Sequence, residues 1–98
     1  MSITRINEFR AKDGSADALR AFLTRLIPTI AAIPGCQSCQ LLQHHDEPTR
    51  FIVLEVWESI EAHQASVKDL PPESLAEVMT LLDERPTGAY YHGQPGMP

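Results

Sequence analysis

The sequence predicts an α+β fold, one antiparallel four-stranded sheet with its helices on one face, and three observations carry that prediction. The run at residues 51–56, Phe-Ile-Val-Leu-Glu-Val, is β-branched and aromatic apart from Leu54 and Glu55, has no break for Gly or Pro, and reads as a central strand. A stripe at steps of three and four, Leu19, Phe22, Leu23, Leu26, Ile27, Ile30 and Ile33, reads as an amphipathic helix. Turn signals divide the rest of the 98 residues so that the elements run β-α-β-β-α-α-β, which is the split βαβ or ferredoxin-like arrangement.

Residues Ile3 to Phe9 alternate, with Ile3, Arg5, Asn7 and Phe9 on one side and Thr4, Ile6 and Glu8 on the other, as suits a first strand. Lys12-Asp13-Gly14 turns the chain, Ser15 is placed to cap the long helix, and Asp17 sits in the first turn where the helix dipole favours an acid. Pro28 lies inside that helix and removes a donor from the carbonyl of Thr24. Pro34-Gly35 ends the helix, a second strand runs from about Cys36 to His44, and Asp46-Glu47-Pro48-Thr49 makes the hairpin turn into the central strand. Ser59 can cap a short helix whose inward stripe would be Ile60, His63, Val67 and Leu70. Pro72 suits the first turn of a third helix, Glu73 to Arg85, with Leu75, Val78, Met79 and Leu82 inward. Ala89 to His92 reads as a last strand, so that residues 1–92 form one domain and residues 93–98 a Pro/Gly tail.

In the central strand Phe51 and Val53 point one way while Ile52, Leu54 and Val56 point the other, so both faces call for burial. One layer of helices covers one face of a sheet. The other face therefore predicts a second copy packed back to back, a homodimeric α+β barrel. Glu55 shares a face with Phe51, Val53 and Trp57, where a carboxylate needs a partner; an arginine or a backbone N–H is the expected one.

A net charge of −5 and a pI near 5.2, with no basic cluster, argue against nucleic acid or an anionic membrane as partner. No run approaches the roughly 20 apolar residues that span a bilayer, and Met1 to Ile6 lacks an apolar core of signal-peptide length; a cytoplasmic location is expected, with Cys36 and Cys39 reduced. Cys36-Gln37-Ser38-Cys39, near His44 and His45, suggests zinc or redox chemistry. The pair follows a helix and enters a strand, however, and three residues apart on a strand the two thiols point to opposite faces, so no metal site is assigned.

Asn7 on strand one, Gly14-Ser15 before the long helix, Pro34-Gly35-Cys36 before strand two, and Glu55-Val56-Trp57-Glu58-Ser59 leading to Ala62 together resemble the antibiotic biosynthesis monooxygenase family of dimeric α+β barrels, over roughly Ile3 to His92. The resemblance implies an apolar pocket between sheet and helices in each subunit of a homodimer. It also implies oxidation of quinols, anthrones or other electron-rich phenolic rings by molecular oxygen, in many members without metal or flavin, so no cofactor is expected. Related branches degrade haem, a reading that needs an axial histidine late in the helical region; the third helix contains none.

Without a cofactor the substrate itself must reduce oxygen, as a phenolate or carbanion. The protein then supplies an apolar cavity, a donor for the developing oxyanion and a base. Asn7 occupies the position where haem-degrading and anthrone-oxidising relatives place a functional asparagine, and His63 can take a phenolic proton near neutral pH. Both are the candidate catalytic residues. Many relatives carry a histidine later in this helix, where Ser66 stands here. Trp57, Tyr91 and Phe22 are the candidates for binding a small aromatic or hydrophobic substrate. Two other functions fit the same scaffold: a non-catalytic ligand-binding or stress-response module, and an isomerase or lyase that needs no oxygen.

Overall fold

The computed structural model describes residues 2–93. Along the chain the elements are β1 (Ile3–Arg10), α1 (Ala16–Ala31), β2 (Cys36–Gln43), β3 (Arg50–Trp57), α2 (Ile60–Ser66), a 3₁₀ turn (Val67–Asp69), α3 (Pro72–Leu81) and β4 (Thr87–Tyr91). The strands form one antiparallel sheet in the order β2-β3-β1-β4 with the helices on one face, the ferredoxin-like split βαβ arrangement that the sequence predicts. Beyond Gly93 the Pro/Gly tail lies outside the described residues. No helix among them is long and apolar enough to cross a membrane.

Period-two alternation decides what the sheet buries. On β3, Phe51, Val53, Glu55 and Trp57 are each at most 5% exposed, whereas Ile52, Leu54 and Val56 on the other face are only partly buried in the single chain. The covered face packs against Leu19, Phe22, Leu23 and Ile30 of α1, the inward stripe of that helix.

Several local expectations are corrected. Ser15 occupies the N-cap of α1, but its side chain makes no capping bond; its backbone N–H donates to Lys12 O and its carbonyl accepts from Leu19 N, each at 2.9 Å. Ser59 does cap α2, accepting from Ala62 N at 3.0 Å. Past Ser66 the chain tightens into the 3₁₀ turn, with about three residues per turn in place of 3.6. Ser66, at the end of α2, is buried and Val67, which opens the turn, is 57% exposed, contrary to the uniform helical stripe. The third helix stops at Leu81, four residues short of Arg85, because the chain is captured by the end of β1: Lys12 N donates to Leu81 O, Asp83 N donates to Arg10 O, and Ala11 and Leu82 form a β-bridge. Leu82 is buried through that bridge, and of the helical stripe only Val78 is buried; Leu75 and Met79 face outward.

The thiols are corrected as well. A register shift between Cys36 and Ser38 sets Cys36 opposite Trp57 and Cys39 opposite Glu55, so both cysteines lie on the helix-covered face rather than on opposite faces. Glycine is required just before this bulge. Gly35 has φ +93°, and a Cβ there would stand 2.7 Å from that of Ala62. Gly35→Ala is expected to cost about 1–3 kcal/mol. The check is urea unfolding, where the midpoint falls with little change in slope.

Candidate active site

The registers of the three strand pairs place side chains of the covered face in rows across the sheet. One row is Cys39, Glu55, Arg5 and Tyr90; the next is Leu41, Val53, Asn7 and Gly88. Helix α1 and the α2 region roof these rows, leaving a partly open cavity of about 210 Å³. Its walls are apolar at Phe9, Leu26, Ile30 and Val53 and polar at Arg5, Asn7, Glu55 and His63.

The polar groups form one network. Glu55 is buried, and each of its oxygens accepts one N–H: Oε1 from Trp57 Nε1 at 2.7 Å and Oε2 from Asn7 Nδ2 at 2.8 Å. The expected arginine or backbone partner is thus replaced by an indole and an amide. Arg5, although the direct cross-strand neighbour of Glu55, turns away and donates from Nε to Asn7 Oδ1 at 3.0 Å. Because Arg5 is only a donor, this bond settles the orientation of the Asn7 amide, whose nitrogen also reaches Val53 O at 3.3 Å.

His63, brought by α2, stands over this network with Nε2 3.9 Å from Glu55 Oε1 and Nδ1 2.6 Å from the hydroxyl of Tyr90. The indole of Trp57 and the ring of Tyr90 each meet the imidazole edge to face. Burial first, and then the positive charge of Arg5, lower the pKa of His63 below its usual value, so the ring is neutral at pH 7. Burial raises the pKa of Glu55, opposed by the Trp57 bond, the Arg5 charge and the Asn7 bond. Cys39 is pushed up to about 12 by burial and by the Glu55 charge, and Cys36 is raised for the same two reasons. These are thiols, poor nucleophiles and poor metal ligands.

Of the residues expected from the sequence, Asn7, His63 and Trp57 line this cavity. Phe22 is buried in the α1 core and is not in its wall, and Tyr91, 49% exposed, pairs with Thr4 on the other face of the sheet. Its neighbour Tyr90 has the inward parity and reaches His63. Arg5, and Glu55 as a site residue, were missed; their shared parity with Asn7 and Trp57 was the available signal. His44 serves the hairpin turn, Nδ1 accepting from the backbone N–H groups of Asp46 and Glu47. Among the described residues no cluster of three potential metal ligands occurs. A second hollow of about 230 Å³, slightly larger, lies at one end of the sheet among Arg10, Arg50, Arg85, Glu8 and Glu84. Those charged side chains are all exposed, whereas the smaller cavity holds the buried carboxyl of Glu55 beside the imidazole of His63, so the smaller cavity is the candidate active site.

Fold and cavity define a small split βαβ domain with a buried polar network beneath its helices. The family model for antibiotic biosynthesis monooxygenases matches residues 2–70, and the chain belongs to that family. No curated protein matches it. Among solved structures, Rv0793 from Mycobacterium tuberculosis superposes with a TM-score of 0.82 at 22% identity, with 100% of both chains covered. SnoaB, a cofactor-independent oxygenase from Streptomyces nogalater, gives 0.80 at 17% identity over 99% of this chain and 97% of that one. A Chloroflexus aurantiacus protein bearing the same family name gives 0.73 at 28% identity over 100% of both chains.

Two outcomes test this network. Glu55→Gln sets the new amide nitrogen against one of two N–H donors and is expected to cost about 1–3 kcal/mol, measured by chemical denaturation at neutral pH. The lowered pKa of His63 means that its contribution to stability is complete above the unfolded-state value near 6.5 and is lost as pH falls from there toward the folded-state value. Stability measured from pH 7.5 downward should show this loss, and His63→Gln should flatten it.

Proposed function

We propose that the protein is a cofactor-independent monooxygenase that oxidises a compact quinol-like or polyketide-like aromatic with molecular oxygen in the cavity between sheet and helices. The single observation that carries the reading is a neutral imidazole, His63, set beside a hydrogen-bonded carboxyl in an apolar cavity about the size of a ring. A cavity of about 150 Å³ already holds benzene. The likeness of fold to SnoaB, a cofactor-independent oxygenase, supports a reaction of the same class.

In this reading His63 takes the phenolic proton, and the apolar walls keep water from the anion. The phenolate passes one electron to oxygen, and superoxide and the aryloxyl radical join at a ring carbon. His63 returns its proton to the peroxide. Loss of the ring C–H proton with cleavage of the O–O bond then leaves a carbonyl and releases water. For a quinol the balance is quinol plus oxygen to hydroxyquinone plus water. Asn7 and Trp57 hold Glu55 in place beside the imidazole, and Trp57 closes one wall.

The working unit of this proposal is a homodimer in the cytosol. Its support is the uncovered sheet face, where Ile52, Leu54 and Val56 are partly exposed and Leu42 and Tyr91 more so. Two free thiols suit a reducing compartment.

Oxygen-electrode assays with hydroquinones are expected to show enzyme-dependent uptake that His63→Ala lowers about 10²–10⁴-fold. Tight binding of the same compounds without uptake would instead favour a ligand-holding module, and turnover under nitrogen an isomerase or lyase. Sedimentation at micromolar concentration is expected to give twice the 10.9 kDa of the chain. A folded species of single-chain mass would remove the dimer.

A further inference from the structure

We infer that Arg5 is the anion-binding residue of the cavity, holding the ring oxyanion of a small phenolate substrate, and that Gly88 exists as the seat for its guanidinium. The inference rests on the reading of this cavity as the substrate site and names the class of molecule it takes.

Asn7 is fully engaged within the protein. Its nitrogen is directed at Glu55 Oε2 and Val53 O, and its oxygen accepts from Arg5, so no donor is left over for a ligand. Trp57 Nε1 is likewise committed to Glu55. Arg5 spends Nε on Asn7, and none of its other N–H groups has an acceptor among the described residues. Nor does a carboxylate among those residues lie within ion-pair distance of it. A cation in the wall of a largely apolar cavity, with donors free and no direct ion-pair partner among the described residues, calls for an anion from outside.

The guanidinium is also held in place. Its carbon lies 4.7 Å from the centroid of the Tyr90 ring, which supports it from below. At Gly88, the neighbour of Asn7 on β4, any Cβ would collide with the Arg5 guanidinium. The side chain therefore crosses from its own row into the space above a residue that has no side chain. Asn7 is then a positioning residue, tying Glu55 and Arg5 together. The groups facing Arg5 are Glu55 on β3, Tyr90 on β4, Asn7 on its own strand and His63 on α2. Glu55 does not occupy the bound anion's place, since its oxygens are turned to Asn7 and Trp57 and make no ion pair with Arg5. The cavity volume accommodates one ring.

The test measures binding of 4-nitrophenol, whose phenol and phenolate absorb differently, and of its neutral methyl ether, 4-nitroanisole, to the full chain across pH. The wild type is expected to bind the phenolate at least tenfold more tightly than the ether and to lower the pH at which the bound probe ionises. Arg5→Gln should remove both effects while leaving affinity for the ether within about twofold, and Gly88→Ala, which displaces the guanidinium without touching its charge, should move both in the same direction. Wild-type preference for the ether, phenolate affinity that survives Arg5→Gln, or equal loss of both ligands in that variant would overturn the inference; the last would make Arg5 a structural strut. Phenolate binding through Arg5 without oxygen uptake would leave the inference standing and remove the oxygenase reading.

Discussion

The site depends on one buried carboxyl. Glu55 stands in the middle of the covered sheet face, in a place otherwise given to Phe51, Val53 and Trp57, and burial there is tolerable only because an indole and an amide each give it a hydrogen bond. From that requirement the rest of the polar network follows. Asn7 must turn its nitrogen toward Glu55, so its oxygen is free for Arg5, and Arg5 is drawn away from the carboxylate it would otherwise pair with. A carboxyl beside a guanidinium is thereby kept from becoming an ordinary internal ion pair.

The helices convert this network into a cavity. Helix α1 supplies Leu26 and Ile30 as an apolar roof, and α2 brings His63 down over Glu55 and Tyr90. The Ser59 cap starts α2 immediately after β3, two residues beyond Trp57, so carboxyl and imidazole come from neighbouring stretches of chain and their relative placement is constrained locally. Tyr90 comes from the far end of the chain, and its ring serves both the imidazole and the guanidinium. The cavity is therefore lined by the two central strands, β1 and β3, while the edge strands act on it indirectly, β4 through Tyr90 against His63 and Arg5 and β2 through Cys39 beside Glu55.

Much of this was legible in the residues. The alternation of β1 and β3 correctly puts Arg5, Asn7, Glu55 and Trp57 on one face, and the helical stripe identifies what covers them. Asn7, His63 and Trp57 emerge as wall residues on that ground together with the family resemblance. Where the reading fails, a relation between distant segments intervenes. The sequence does not distinguish Tyr90 from Tyr91, because a short strand read alone has no phase until it pairs with β1; that pairing gives Tyr90 the parity of the covered face. Cys36 and Cys39 were assigned opposite faces because a bulge is invisible without its partner strand. Leu75 and Met79 were assigned to the core because nothing local announces that the helix will be cut at Leu81 by a bridge to Ala11.

Sequence by itself determined the kind and order of the elements, the buried face of β1 and β3, and the amphipathic face of α1. These follow from periodicities of two and 3.6, which are properties of a chain segment taken alone. Only the tertiary structure decided that Cys39, Glu55, Arg5 and Tyr90 share a row, that the Asn7 amide is spent inside the protein, and that Gly88 makes room for a guanidinium. Each of those is a matter of register between strands as far apart as Asn7 and Glu55, 48 residues distant along the chain. Register comes from packing the whole sheet against its helices, and no single stretch of residues contains it.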